Sequence, residues 1–157
     1  MADRKINAVM STSAGRLFDA VSAILGIRRQ SSFEGEASTA LQFAAEEFEQ
    51  KGKLNGNEIW DNVQPVILGL EGRCILNTEA LVQLIVETKL QGADSGALAY
   101  LFHQTLAEQI VVACIEARKS SGRNKTALSG GVFQNRLLLQ LTEERLGRKD
   151  LKCCVIT

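Results

Sequence analysis

Apolar residues recur through much of this chain at intervals of three and four, the spacing that lines one face of an α-helix. Over residues 13–25 they are Leu17, Phe18, Val21, Ile24 and Leu25, which predicts an amphipathic helix. Ser11, Thr12 or Ser13 is suited to cap it, and Gly26 stands where a helix stops. A second helix is expected over residues 36–51, with Ala40, Leu41, Phe43, Ala44 and Phe48 on its buried side. Residues 52–57, rich in Gly and Asn, read as an exposed loop. Residues 63–70 and 73–76 are two short β-rich runs separated by Glu71-Gly72, the pattern of a hairpin, in which Pro65 favours an edge strand or its start. Asn77-Thr78-Glu79 resembles a cap for a helix over residues 79–90. The longest helix is expected over residues 94–120, with Leu98, Leu101, Leu106, Ile110, Val111 and Ile115 toward a core.

The last third changes period. Residues 125–129 read as a short strand, Gly130-Gly131 as a turn, residues 133–146 as a helix, and residues 151–156 as a second strand. Strand, helix and strand at this spacing imply a βαβ unit with parallel pairing. The chain then ends on a strand where a further loop is expected, a first indication of truncation.

Composition narrows the function classes. The 157 residues are enough for one modest core, and 45% hydrophobic with 23% charged residues is an ordinary globular balance. Lys+Arg and Asp+Glu both number 18, so the net charge is zero, which argues against a nucleic-acid partner. No apolar run reaches the roughly 18 residues of a membrane span, and the N-terminus lacks the apolar core of a signal sequence, so a cytoplasmic protein without a membrane partner is expected. The four cysteines, Cys74, Cys114, Cys153 and Cys154, form no C-x-x-C pair, and His103 is the only histidine. They are expected to be reduced, mostly buried thiols, and no complete metal site assembles from them.

The most informative stretch is Leu128-Ser129-Gly130-Gly131-Val132-Phe133-Gln134-Asn135-Arg136. Two glycines after a strand let backbone approach a ligand closely, and a helix start offers N–H groups and a positive dipole end to phosphate. Asn135, placed one turn into that helix, has a donor and an acceptor to offer a ribose or base. The plainer reading is a tight turn that needs glycine only for packing. Asp19, on the first helix, is either cleft-facing or a solvated helix carboxylate. Gly35 lies between Glu34 and Glu36 at a helix start, where the acids complement the dipole. His103 is a candidate acid or base, or a hydrogen-bonded packing residue. Arg16 and Arg136 are each either phosphate contacts or ordinary surface arginines.

Four segments, in order and spacing, resemble the C-terminal portion of the hydrogenase-maturation carbamoyltransferase (HypF) family. They are residues 13–26 with Gly15-Arg16-Leu17-Phe18-Asp19, then Phe33-Glu34-Gly35-Glu36-Ala37, then Phe102-His103-Gln104-Thr105-Leu106-Ala107, and finally residues 127–139 with Ser129-Gly130-Gly131-Val132-Phe133-Gln134-Asn135. The resemblance implies a helix-rich α/β part of an actin-like ATPase-class domain. It implies an enzyme that uses ATP and carbamoyl phosphate, through carbamoyl adenylate, to carbamoylate a C-terminal cysteine of a HypE-type maturation partner. By the same resemblance Asp19 and Gly35 contact the nucleotide sugar, the Gly130-Gly131 turn lies at the nucleotide, and Asn135 sits beside the adenylate.

A divalent metal is also implied, held by two histidines before residue 13 and an aspartate after residue 157, neither of which this sequence contains. The chain therefore reads as one partial domain over residues 1–157, cut at both ends. It is expected to be inactive alone and prone to self-association through exposed core. Two other readings stand beside this one. One is a lobe of the related tRNA threonylcarbamoyl transferases, disfavoured by bulky Phe133 and by the neutral charge. The other is a non-catalytic interaction module.

Overall fold

The computed structural model describes residues 13–52, 67–70 and 73–156. Helix α1 (Ala14–Ile24) begins after Ser13 at its N-cap and ends before Gly26, which takes a φ of 73°. Phe18 and Val21 are fully buried, whereas Ile24, expected beside them, is exposed. Helix α2 (Glu36–Gln50) buries Ala37, Leu41 and Ala45, each one turn apart. Phe43 departs from expectation and lies 62% exposed. At 100° per residue it stands about 200° around the helix from Leu41, on the far side from the core.

Strands β1 (Ile67–Leu70) and β2 (Arg73–Leu76) form the expected antiparallel hairpin, with Ile67 opposite Leu76 and Leu70 opposite Arg73. Pro65, the Glu71-Gly72 turn, the loop after Gly52 and the alternative caps Ser11 and Thr12 lie outside the described residues. Helix α3 (Thr78–Leu90) is capped by Asn77, whose side-chain oxygen accepts the Ala80 N–H at 3.2 Å. Helix α4 (Ser95–Ser121) is capped by Asp94, which accepts the Ala97 N–H at 2.9 Å.

Helix α4 is the axis of the molecule. Six consecutive residues, from Leu98 to His103, are buried, so this stretch is enclosed on every side, and α2, α3 and α5 all pack against the helix. Leu98, Leu101, Leu106 and Val111 are buried as expected, while Ile110 and Ile115 are half-buried. By length and composition α4 is apolar enough to cross a membrane, and 56% of its most apolar window is buried within the fold. Phe18 of α1 meets Phe102 of α4 edge-on at 4.8 Å between ring centres, which ties the first helix to the axis.

The βαβ unit is present. Strand β3 (Lys125–Ser129) pairs in parallel with β4 (Lys152–Ile156), Lys125 opposite Lys152 and Ser129 opposite Ile156, and α5 (Arg136–Arg148) crosses between them. The crossover helix starts later than expected. Residues 131–134 form a 3-10 turn, and Asn135 follows with extended φ −69° and ψ 104° as the N-cap of α5. Val111, Leu128, Leu146 and Leu151 make a second apolar cluster under this unit, and Ile110 and Phe133 pack against both clusters.

The cysteines also depart from expectation. Cys114 and Cys153 are half-buried against the second cluster, and Cys154 is exposed. Strand alternation explains the pair on β4, because adjacent residues face opposite sides and one side of this sheet is uncovered. Burial raises the Cys153 thiol above its ordinary pKa, with Glu143 adding to the effect. The Cys74 side chain lies outside those described.

Candidate functional site

Three segments far apart in sequence open onto one cleft of about 970 Å³. The start of α1 contributes Gly15, Arg16 and Asp19, the approach to α2 contributes Phe33, Glu34 and Gly35, and the β3–α5 connection contributes Gly130, Gly131 and Gln134. Of the five positions that the resemblance places at the nucleotide, four thus meet: Asp19, Gly35, Gly130 and Gly131.

The backbone at two of them requires glycine. Gly130 has φ 101° and ψ 159°, a region that side-chain-bearing residues essentially do not enter. Gly35 is the N-cap of α2 at φ 84° and ψ −3°. Its neighbour Glu36 is committed inward, since its carboxylate accepts the Ser32 N–H at 2.5 Å and the Ser32 hydroxyl at 2.9 Å and pairs with Arg28. Glu36 therefore pins the loop on which Gly35 and Glu34 are presented, which adds to its favourable place at a helix start.

Helix ends divide by position. Asn77, Asp94 and Asn135 cap α3, α4 and α5 with their side chains. Among the described residues no side chain caps α1 or α2, the two helices whose first turns line the cleft. Their leading N–H groups and positive dipole ends favour an anion beside them, while Asp19 and Glu34 bring two carboxylates to the same cleft. Arg16 adds a full positive charge: its side chain is 77% exposed and stands 3.6 Å from the Asp19 carboxylate. An exposed pair at that distance contributes little, so both groups stay available to a ligand.

Asn135 does not line the cleft. It is buried, its Oδ1 accepts the Leu138 N–H at 2.9 Å, and its Nδ2 lies 3.0 Å from His103 Nε2. The later start of α5 is the reason, since it makes Asn135 the cap of that helix instead of a residue one turn inside it. His103 is fully buried, with Nδ1 2.7 Å from the Ala99 carbonyl. Those bonds define a neutral ring that donates from Nδ1 and accepts at Nε2. Burial pushes its pKa down to about 4, against smaller opposing effects of the Ala99 carbonyl and Glu46. His103 is thus a hydrogen-bonded packing residue. Arg136 is exposed and away from the cleft, its N–H donating to Gln42 Oε1 at 3.2 Å.

Sequence reasoning missed Ser38, one turn into α2, and Gln134, at the end of the 3-10 turn, both on the cleft wall. Gln134 sits in the same glycine motif and was hidden by placing the helix start too early. Among the described residues no group of three or more His, Cys, Asp or Glu is placed to hold a metal ion. These residues do not fit a metal site of their own.

A helix-rich α/β subdomain with short parallel strands and a glycine-walled cleft is the class that this fold and site define. Within it, residues 1–156 match the family described as "Carbamoyltransferase, Kae1-like Domain, second subdomain". The chain belongs to the HypF carbamoyltransferase family. It is 32% identical to the carbamoyltransferase HypF homolog of Cupriavidus necator over 97% of this chain and 37% of that protein. It is 30% identical to the probable carbamoyltransferase HypF of Methanocaldococcus jannaschii over 88% of this chain and 16% of that one. A crystal structure of full-length HypF in a phosphate- and nucleotide-bound form superposes with a TM-score of 0.81 at 31% identity, over 98% of this chain and 19% of the other. The chain thus spans well under half the length of these relatives.

Proposed function

We propose that this chain is the nucleotide-holding lobe of a carbamoyltransferase that uses ATP and carbamoyl phosphate, by way of carbamoyl adenylate, to carbamoylate a partner cysteine in [NiFe]-hydrogenase maturation. The observation that carries the reading is the convergence of Asp19, Gly35 and Gly130-Gly131 on one cleft beside two helix starts that no described side chain caps. Membership of the HypF family, and the phosphate and nucleotide named for the related crystal structure, support it.

In this reading the Asp19 carboxylate accepts hydrogen bonds from the ribose hydroxyls. Gly35 and Gly130, with no side chain in the way, let sugar and phosphate lie against the backbone. The leading amides of α1 and α2, with Arg16, balance phosphate charge. The transfer itself is attack of a partner thiolate on the carbamoyl carbon, with the carbon–oxygen bond to phosphate breaking and AMP leaving. The lobe's part is to hold the adenylate and orient its carbonyl. A divalent metal belongs to this reading, with ligands outside this chain, and no step here runs through it.

Titration calorimetry of the full 157-residue chain with a non-hydrolysable ATP analogue tests the proposal. Asp19→Ala is expected to weaken binding about tenfold, in line with the loss of charge-assisted hydrogen bonds to a partly exposed carboxylate. Its melting temperature is expected to stay unchanged, because Asp19 carries no core packing. Absence of binding by the wild type would instead favour a non-catalytic interaction module. The chain alone is expected to give no steady-state carbamoyl transfer, and measurable turnover would contradict that.

A further inference from the structure

The cleft wall at residues 130–134 is two glycines and a short 3-10 turn, the most permissive backbone in the site. Within it Phe133 N–H bonds to the Gly130 carbonyl at 3.1 Å, and Asn135 N–H to the Val132 carbonyl at 3.2 Å. Such a turn keeps one shape only if its far end is anchored. The anchor is Asn135, whose carboxamide is bonded at both its oxygen and its nitrogen. Oδ1 satisfies the Leu138 amide at the start of α5, which leaves Nδ2 as a buried donor that needs an acceptor. His103 Nε2 is that acceptor, at 3.0 Å. The Ala99 carbonyl, at 2.7 Å from Nδ1, holds the proton on the other nitrogen and keeps Nε2 free to accept.

The same ring touches the opposite wall. Phe18, which lines the cleft one residue before Asp19, meets the His103 ring nearly edge-on, with 5.5 Å between centroids and 76° between planes. His103 is therefore in contact with α1 through Phe18 and with the glycine turn through Asn135, while its own backbone belongs to the enclosed stretch of α4.

We infer that His103 is a positioning residue of the cleft: from the central helix it holds Asn135, and through Asn135 the shape of the Gly130–Gly131 wall, at a fixed separation from the α1 wall that carries Asp19. The inference rests on the nucleotide reading for its functional consequence, but the strut itself is a property of the chain without ligand. It assigns Asn135 an internal task in the fold.

Two substitutions separate this role from bulk packing. His103→Leu keeps apolar volume close to that of the ring and removes the acceptor, which orphans Asn135 Nδ2. His103→Gln sets an acceptor oxygen near the position of Nε2 and restores the bond. Ile85→Ala, a buried position on α3, which packs on α4, serves as a control for lost stability alone. Amide hydrogen exchange over residues 131–134, followed on the full chain without ligand, reads the strut directly. His103→Leu is expected to raise exchange there about tenfold, and His103→Gln to stay within about threefold of wild type. Ile85→Ala is expected to leave exchange there unchanged.

Affinity for the ATP analogue is expected to follow the same order. Unchanged exchange at residues 131–134 in His103→Leu would overturn the inference, as would an equal rise in Ile85→Ala or no recovery in His103→Gln. If the wild type binds no nucleotide, the functional reading fails while the exchange data still decide the strut.

Discussion

His103 is held neutral in the fold, and this has a measurable consequence in acid. Its pKa lies at about 4 when folded, below the 6.5 of an unperturbed imidazole, so below pH 6.5 the unfolded chain takes up a proton that the folded one refuses. Stability from this residue is fully present above pH 6.5 and is lost as pH falls toward 4. Denaturant unfolding of wild type is expected to lose about 2 kcal/mol between pH 7 and pH 5 from this source, at 1.36 kcal/mol per unit. His103→Leu, with no imidazole to titrate, should lack that slope, and parallel curves for the two proteins would contradict a buried neutral ring. The identity of His103 as a packing residue was among the readings open in the sequence. Its partner was not, because Asn135 lies 32 positions away and its capping role depends on where α5 starts.

Glycines within the helices separate packing from propensity. Gly147 in α5 has nothing within 4 Å of where a Cβ would stand, whereas at Gly96 in α4 that atom would come within 3.1 Å of the Ala44 carbonyl and 3.2 Å of Phe48 Cβ. Gly147→Ala is expected to stabilise the chain by roughly 0.5–1 kcal/mol, the helical preference of Ala over Gly. Gly96→Ala is expected to cost about 1 kcal/mol, because the obstructing atom belongs to the backbone of a packed helix and cannot swing aside. Thermal or urea unfolding of both variants checks the opposite signs. Periodicity made most elements legible: α1, α2, α3, α4 and both strands of the βαβ unit lie within a residue of their expected bounds, while α5 begins three residues late. It failed where a local rule competed with hydrophobicity. Phe43, expected on the buried side of α2, points outward by its angle, and Cys154, one of four thiols expected to be mostly buried, is turned out by strand alternation.

The cleft belongs to no single element. Its walls come from residues near 16, 35 and 131, brought together because α1 and α5 both dock near the middle of the molecule, α1 through Phe18 on Phe102 and α5 by packing on α4. Local pattern marked the glycine and aspartate positions one at a time, and only the resemblance to a family joined them before the fold was known. Ser38, which reaches the cleft by assembly, carried no such mark. The central claim is that this assembled cleft holds a nucleotide, and its most direct test is calorimetric titration of the full chain with a non-hydrolysable ATP analogue. The account predicts saturable binding to the wild type, weakened about tenfold in Asp19→Ala at an unchanged melting temperature. Absence of wild-type binding, or binding indifferent to Asp19, would contradict it.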